Sequence, residues 1–294
     1  MAGGHHHHHH DHAHRRSPLG RAAALTIAFA LLEALGGWWT GSLALLSDAG
    51  HMLTDGAALG LAAAAAWMAR LPPSRRHSYG LGRAEVLAAL INAGAMFLIC
   101  GALVYEALSR LNAPAEVHGG AAALVALAGL ALNIFVLRWL AHGHDMNTRA
   151  ARLHVLGDAL GSLAAVASGA VIALTGWTTI DPIASLAICV LIALSALRLL
   201  RESLHALMEA VPRGLSVETI GGEMARVDGV LSVHDLHVWM LSGSRVALSA
   251  HVMVRSMSQW DRVLPELQAR LHEKFGIDHV TLQPESGSKP LIRH

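Results

Sequence analysis

Three features that would place the chain in common functional classes are scarce or missing. Its 294 residues include only two cysteines, Cys100 and Cys189, and both lie inside apolar runs, so we expect packed side chains rather than a disulfide or a thiolate metal site. Charged residues make up 15% of the chain and the formal net charge is +1, which provides no basic patch for nucleic acid. The H-E-x-x-H motif of zinc proteases is absent from the sequence, which disfavours a membrane metalloenzyme.

Apolar residues, by contrast, dominate most of the chain before residue 200. Hydrophobic residues make up 53% of the sequence and the mean hydropathy is +0.44, too apolar for one ordinary soluble domain. A membrane-spanning helix needs roughly 20 apolar residues. We predict an α-helical membrane domain over residues 19–211, without a cleavable signal peptide. Its six transmembrane helices are predicted near Ala22–Trp39, Leu43–Met68, Ala84–Leu108, Ala121–Leu140, Leu153–Thr175 and Pro182–Leu200.

The arginines of the short loops predict how these helices are oriented. They cluster in the entry segment, in the loop after the second helix and in the loop after the fourth, whereas the opposite side has only Arg110. Because arginine-rich loops stay in the cytoplasm, we predict an integral membrane protein with both termini cytoplasmic. The clustered residues are Arg15, Arg16, Arg21, Arg70, Arg75, Arg76, Arg83, Arg138, Arg149 and Arg152.

The first 18 residues read MAGGHHHHHHDHAHRRSP, and we expect them to form a disordered, His-rich cytoplasmic tail. Six consecutive histidines, His5–His10, are typical of an expression tag. The run continues as D-H-A-H and enters the first helix without a linker, which favours a native, metal-gathering tail. Both interpretations remain open from the sequence.

Residues 212–294 predict a small α+β domain on the cytoplasmic side. Hydropathy falls after Arg201, and Pro212, Arg213 and Gly214 mark the boundary. The predicted order is αββαβ, with a three-stranded sheet covered on one face by helices. The elements are a helix at Ser216–Val227 with Ser216 as N-cap, strands Val230–Met240 and Arg245–Val254 around the Ser242-Gly243-Ser244 turn, a helix at Ser258–Phe275 and a strand at His279–Gln283.

Five ionisable residues interrupt the second and fifth helices. Asp48, His51 and Asp55 follow at steps of three and four residues, and His154 and Asp158 repeat the four-residue step, so each set falls on one helix face. A carboxylate near the bilayer centre costs roughly 2.5–3.5 kcal/mol, and neither stretch contains a lysine or arginine to neutralise it. Two imidazoles and two carboxylates on facing helices are ligands of tetrahedral zinc. A metal or proton pathway is therefore favoured over helix caps or a buried ion pair.

The chain resembles the cation diffusion facilitators, and most of all their zinc-exporting branch. The resemblance implies a transport site of His51, Asp55, His154 and Asp158 between the second and fifth helices. It further implies a homodimer, proton-coupled efflux and a ferredoxin-like cytoplasmic domain that binds regulatory metal. The matching motifs are S-L-A-L-L-S-D-A-G-H-M-L-T-D (Ser42–Asp55), H-S-Y-G-L-G-R-A-E (His77–Glu85), N-A-G at Asn92, H-D-M-N-T-R-A-A-R-L-H-V-L-G-D (His144–Asp158), I-D-P at Asp181, V-H-D-L-H-V-W (Val233–Trp239), S-A-H-V at His251 and H-V-T-L-Q-P-E (His279–Glu285).

In the cytoplasmic domain the resemblance places metal ligands at His234, His251 and Glu285, while Gln283 stands where some members have histidine. His237 is a further candidate ligand. The alternative is that these histidines are surface or sheet-edge residues. Some members have another metal site in the loop after the second helix. Of its ligand positions only His77 matches, because Ser74 and Leu81 occupy the others.

We therefore predict a transporter, not an enzyme, that exports Zn²⁺ in exchange for protons and binds Zn²⁺ as a candidate regulatory ion. Two imidazoles disfavour Mg²⁺ and Ca²⁺ and the lack of thiolate disfavours Cu(I), whereas Cd²⁺, Co²⁺, Ni²⁺ and Fe²⁺ remain candidates.

Asp48 and Asn92 are predicted to support the ligands or relay protons. Glu33 and Glu106 lie near helix ends and are expected to reach the membrane interface, Glu106 beside Arg110. The alternative functions are a metal-sensing membrane protein and a passive divalent-cation channel.

Overall fold

The computed structural model describes residues 18–139, 146–242 and 245–286. The His-rich run and the centre of the turn at Gly243 lie outside the described residues, so the two interpretations of the tail stay open. Two compact units can be distinguished. The first unit comprises the chain up to Gly56 together with Leu98–Ile192. The second unit comprises Ala57–Phe97 together with the chain from Ala193 onward.

Six long helices form the membrane part, as predicted. Five of them are long and apolar enough to cross a bilayer, and α1 contributes a shorter apolar stretch at Ala24–Thr40. Most of the helices extend beyond the predicted apolar segments. The reason is that polar residues can continue a helix past its apolar part. The helices are α1 (Pro18–Thr40), α2 (Leu43–Ala69), α3 (Ala84–Asn112), α4 (Gly119–Trp139), α5 (Met146–Thr175) and α6 (Ile180–Leu207).

The outer surface of the first unit is apolar. Trp38, Leu98 and Leu174 are 79%, 78% and 86% exposed. Contiguous apolar surface of this kind is not stable in water and marks contact with lipid or another apolar partner. Together with the helix lengths, these exposed side chains identify an integral membrane protein.

Helices α4 and α5 approach each other closely through glycines. A Cβ at Gly169 would lie 2.6 Å from the backbone nitrogen of Ala123 and 2.8 Å from the carbonyl oxygen of Gly119. Neither distance is possible for a real side chain, so glycine is required at this crossing. The close crossing fixes the position of α5, which carries His154 and Asp158.

The C-terminal domain has the predicted order αββαβ. Helices α7 and α8 pack on one face of the sheet, where Ile220, Met224 and Leu267 are fully buried against Leu248 and Val252. The side chain of Ser216 caps α7 by accepting a hydrogen bond from the backbone N–H of Thr219. The elements are α7 (Val217–Ala225), β1 (Val230–Ser242), β2 (Arg245–Val254), a 3₁₀ turn (Met257–Gln259), α8 (Trp260–Phe275) and β3 (His279–Ser286).

The strand register brings the candidate ligands of this domain together. Strands β1 and β2 pair antiparallel with His234 opposite His251, and β2 and β3 pair parallel with His251 opposite Gln283. A bulge interrupts β1 between His234 and His237. Asp235, inside the bulge, has a positive φ of 50°, a conformation that aspartate adopts more readily than most residues.

Candidate metal centres

Helices α2 and α5 each present a histidine and an aspartate to one small volume. On α2, Nδ1 of His51 lies 3.6 Å from Oδ2 of Asp55, and on α5, Nε2 of His154 lies 3.8 Å from Oδ2 of Asp158. Between the helices, Nε2 of His51 is 3.8 Å from Oδ1 of Asp158, and Nε2 of His154 is 3.3 Å from Oδ2 of Asp55. We call these four residues the intramembrane quartet.

The spacing within the quartet suits a tetrahedral ion. Zinc bonds to nitrogen and oxygen are about 2.0–2.2 Å long, so neighbouring ligand atoms lie about 3.3–3.6 Å apart. The three separations that use Nε2 of each histidine are 3.3–3.8 Å. The fourth, 3.6 Å to Asp55, uses Nδ1 of His51, which cannot bind the same ion as Nε2 of that ring. His51, Asp55 and Asp158 each offer one ligand atom, and these atoms all lie within 4.8 Å of one another. Nε2 of His154 lies 3.3 Å from Asp55 and 3.8 Å from Asp158, but His154 is not a member of this group of three.

Burial leaves ligand atoms of the quartet without other partners. Asp158 is 1% exposed, and neither of its oxygens has a hydrogen-bond partner; Nδ1 of His51 is likewise unpartnered. Buried polar atoms are nearly always hydrogen-bonded in folded proteins. Lone pairs that remain free in so small a volume can accept a metal ion or protons.

Asp48 lies behind the quartet rather than within it. Its Oδ2 accepts a hydrogen bond of 2.7 Å from the hydroxyl of Ser162, which in turn accepts one of 3.2 Å from Nδ2 of Asn133. Ser162 lies one helical turn after Asp158 on α5. A Cβ at Gly161 would lie 2.4 Å from Oδ1 of Asp48, so the glycine makes room for this carboxylate.

Glu33 is the residue whose position the sequence predicted wrongly. The expectation was an interfacial side chain, but Glu33 is fully buried and neither carboxyl oxygen has a hydrogen-bond partner. Helix α4 permits this burial through Gly129, where an added Cβ would lie 2.8 Å from Cε1 of Phe29 and 3.4 Å from Oε1 of Glu33. By contrast, Glu106 is not fully buried, and it accepts a hydrogen bond of 2.8 Å from Nε of Arg110, one turn further along α3.

Asp181, at the start of α6, has a structural role that the sequence analysis did not assign to it. Its carboxylate accepts hydrogen bonds from the Ser42 hydroxyl at 2.6 Å and from the backbone N–H of Leu43 at 2.5 Å. It thereby caps the N-terminus of α2 from another helix, where the helix dipole favours negative charge. The cap anchors α2 ahead of the turns that carry His51 and Asp55.

The cytoplasmic candidates form a second cluster. Nε2 of His234 lies 3.2 Å from Oε2 of Glu285, and Nδ1 of His251 lies 3.0 Å from Oε1 of the same carboxylate. The two rings are 5.4 Å apart between centroids, and all three residues offer ligand atoms within 4.8 Å of one another. We call them the cytoplasmic cluster.

His237 is not part of the cytoplasmic cluster. Its Nε2 lies 2.9 Å from Oδ1 of Asp235, whose other oxygen is 3.7 Å from Nε2 of His251. Asp235 is therefore nearer to the cluster than His237 is. Sequence reasoning missed Asp235 because strict strand alternation would not place neighbouring residues His234 and Asp235 on one side, and the bulge overrides that alternation.

The remaining predicted positions lie outside both groups of candidate metal ligands. His77 is exposed, and its backbone N–H donates to the hydroxyl of Ser74 at 3.2 Å. Nδ2 of Asn92 lies 4.0 Å from the sulfur of Met96 on the same helix. Cys100 and Cys189 are free and buried, which confirms that they do not form a disulfide. A supporting role of Asn92 in transport stays a prediction.

Comparison with known proteins covers almost the whole chain. Residues 20–208 match the cation efflux transmembrane domain, and residues 212–287 match the cytoplasmic domain of cation efflux proteins. The zinc transporter ZitB of Escherichia coli is 42% identical over 90% of this chain and 85% of its own length. The cadmium, cobalt and zinc/H(+)-K(+) antiporter of Bacillus velezensis is 36% identical over 94% of this chain and 92% of its own length.

The metal cation efflux system protein CzcD of Cupriavidus metallidurans is 39% identical over 90% of this chain and 84% of its own length. The solved structure of the metal-bound C-terminal domain of CzcD is 36% identical, covers 24% of this chain and 99% of that chain, and has a TM-score of 0.23. The match to both domains and the identity with full-length relatives establish that this chain belongs to the cation diffusion facilitator family, in the zinc-exporting branch.

Proposed function

We propose that this protein exports Zn²⁺ from the cytoplasm in exchange for protons, and that the intramembrane quartet binds the transported ion. The observation that carries the proposal is the pair of nitrogen–oxygen separations between α2 and α5, 3.8 Å from His51 to Asp158 and 3.3 Å from His154 to Asp55. Relatives named as zinc transporters and as a cadmium, cobalt and zinc antiporter support the same assignment. Cd²⁺ and Co²⁺ are accordingly proposed as further substrates, with Ni²⁺ and Fe²⁺ compatible with the ligands.

Charge balance explains why protons would exchange with the metal. Two ionised carboxylates and two neutral imidazoles carry a charge of −2, so a divalent ion makes the quartet neutral. When the metal leaves, two carboxylates face each other in an apolar bundle, and like charges favour protonation of one of them. Metal ligands must be deprotonated to bind, so loading releases protons. Exposure of the quartet to each side of the membrane in turn then couples inward proton flow to outward metal flow.

The affinity of the quartet should be moderate. A transporter must release its ion, and a micromolar dissociation constant corresponds to about 8 kcal/mol, compared with roughly 10–16 kcal/mol for a closed structural zinc site. His154, with a side chain that is 48% exposed, gives the ion one partly open edge through which it can leave.

We further propose that residues 19–211 form the transport domain and residues 212–294 the cytoplasmic domain of a homodimer, in a bacterial inner membrane with both termini cytoplasmic. The cytoplasmic cluster would bind a regulatory Zn²⁺. Two histidines around one bridging carboxylate provide three donors of the type that zinc prefers. The matched cytoplasmic domain of cation efflux proteins supports this division of roles.

Zinc flux into proteoliposomes tests the proposal. Wild-type protein should transport Zn²⁺ faster with an opposing proton gradient, and Asp55→Ala or Asp158→Ala should abolish transport. Glu106→Gln is a matched control, because it removes a carboxylate that pairs with Arg110 outside the quartet. Unimpaired flux in Asp158→Ala would contradict the site assignment. Flux that ignores a protonophore would indicate a passive channel, and zinc binding without flux would indicate a sensor.

A further inference from the structure

Four fully buried polar residues beside the quartet hold acceptor atoms that transport of the metal does not use. They are Glu33, Asp48, Asn133 and Ser162, from helices α1, α2, α4 and α5, and we refer to these four side chains as the pocket. Glu33 belongs with the others because Oε1 of Glu33 would lie 3.4 Å from a Cβ at Gly129, one helical turn before Asn133 on α4. Both oxygens of Glu33, Oδ1 of Asp48 and Oδ1 of Asn133 have no hydrogen-bond partner. The side-chain amide of Asn133 is held in the pocket by its hydrogen bond to Ser162. Its unpartnered oxygen shows that the pocket lacks a hydrogen-bond donor. This observation does not depend on the charge of the acidic residues.

Within the part of the chain that the structure describes, no lysine or arginine is hydrogen-bonded to Glu33. Asp48 on α2 and Asp158 on α5 lie near enough to repel an ionised Glu33. The other titratable residues of α2 are His51 and Asp55 of the quartet, and α4 has none except Arg138 in its last turn. A buried carboxylate without a cation or hydrogen-bond donors is strongly disfavoured relative to its protonated form.

A proton fits this pocket better than a divalent metal does. The acidic residues of the pocket do not bring three ligand atoms within 4.8 Å of one another, as the two histidine-containing groups do among the described residues. The pocket also offers only oxygen, without the nitrogen donors that zinc prefers. A single proton on Glu33 needs no coordination shell, and its hydroxyl can donate to one of the free acceptors in the pocket.

We propose that Glu33 is a proton-binding site of the transport cycle, separate from the quartet and coupled to it through electrostatic interactions. The proposal rests on proton-coupled export. Asp158 links the two sites because this quartet member lies one helical turn before Ser162 on α5, and Ser162 is hydrogen-bonded to Asp48 and Asn133 of the pocket. With the quartet empty, its negative charge keeps Glu33 protonated. A divalent ion in the quartet cancels that charge and favours ionised Glu33, so metal loading releases the Glu33 proton in addition to any proton of the quartet.

Calorimetry of the purified full-length protein tests this coupling. Zn²⁺ is titrated in buffers of different ionisation enthalpy, which gives the number of protons released per bound ion. Glu33→Gln should still bind Zn²⁺ but release fewer protons than wild type, by up to one per ion, and the pH dependence of its affinity should be correspondingly shallower. Glu106→Gln should release as many protons as wild type.

The outcomes separate this proposal from the proposed function. If wild type binds Zn²⁺ without releasing protons, proton exchange itself is wrong. If wild type releases protons and Glu33→Gln binds Zn²⁺ and releases the same number, only the Glu33 proposal is overturned.

A second measurement does not need the variant to fold. Among the described glutamates, Glu33 alone is buried. In wild-type protein carrying ¹³C-labelled glutamate, infrared spectra at neutral pH should show a protonated glutamate carbonyl band that Zn²⁺ removes. A missing band, or one that Zn²⁺ leaves unchanged, would overturn the proposal.

Discussion

Nε2 of His154 lies 3.3 Å from Oδ2 of Asp55, closer than it lies to Asp158 on its own helix at 3.8 Å. The quartet is therefore not two separate pairs, because each histidine contacts the aspartate of both helices. A shift of α2 relative to α5 would lengthen the contacts between the helices and leave the contacts within each helix intact. We therefore expect the affinity of the proposed metal site to depend on the packing of these two helices.

Asp158→Asn should separate metal binding from stability. The substitution removes a charged ligand, so zinc affinity should fall roughly 100-fold or more, which corresponds to about 2.8 kcal/mol or more. The metal-free variant should nevertheless unfold at a higher temperature than wild type, because Asp158 has no hydrogen-bond partner and repels Asp48 and Asp55. Thermal unfolding in detergent, with and without Zn²⁺, checks both effects. A variant that Zn²⁺ stabilises as much as wild type would contradict the assignment of Asp158 as a ligand.

Gly161→Ala should disturb Asp48 without touching a ligand. The new Cβ would lie 2.4 Å from Oδ1 of Asp48, so the carboxylate must move away from Ser162. Crowding of this kind costs about 1–3 kcal/mol, and we expect a lower unfolding temperature and slower zinc flux. Gly157→Ala, on the same helix, is the control, because its Cβ would meet nothing within 4 Å. Equal effects of the two substitutions would indicate helix propensity rather than displacement of Asp48.

Asp181→Ala should weaken the start of α2. The substitution leaves the hydroxyl of Ser42 and the N–H of Leu43 without their acceptor, and a hydrogen bond to a charged group contributes about 1.5–3 kcal/mol. Hydrogen exchange of the first turn of α2 should accelerate, and zinc affinity should fall because His51 and Asp55 lie on the same helix. Ser42→Ala, which removes one donor but keeps the carboxylate, should have a smaller effect. Unchanged exchange in Asp181→Ala would show that the cap does not hold α2.

The sequence predicted each His–Asp pair and the strands because both depend on local spacing, whereas the contact between the two pairs was expected from the family resemblance. A four-residue step on a helix fixes which side chains share a face, and alternation over Arg245–Val254 gave strand β2 with its observed bounds. Partners distant in the chain were not predictable in this way. Asp181 and Leu43 are 138 residues apart, and nothing near either residue indicates the other. The burial of Glu33 depends on how closely α1 meets Gly129 of α4, and helix periodicity does not determine that contact.

The cytoplasmic cluster should bind zinc independently of the quartet. His251→Ala removes a ring whose Nδ1 is 3.0 Å from Glu285, so the number of zinc ions bound per chain should fall while the quartet stays intact. His237→Ala is the matched control, because this exposed histidine pairs with Asp235 and lies outside the cytoplasmic cluster. Equilibrium dialysis with Zn²⁺ gives the count. Equal losses in the two variants would contradict the membership of the cluster.

The C-terminal domain should lose stability in acid through Glu223. Hydrogen bonding to Lys274, followed by the charges of Arg226, Lys274 and Arg270, lowers the pKa of the Glu223 carboxyl below its usual 4.5. Its stabilising contribution is therefore complete above pH of about 4.5 and is lost as the pH falls through the lower folded-state pKa. Because these contacts join α7 to α8, hydrogen exchange of both helices should accelerate over that range. In Glu223→Gln this part of the pH dependence should disappear, whereas Glu273→Gln, at an exposed position on α8, should keep it. If hydrogen exchange in Glu223→Gln depended on pH as it does in wild type, other carboxylates would be responsible for the acid sensitivity of the domain.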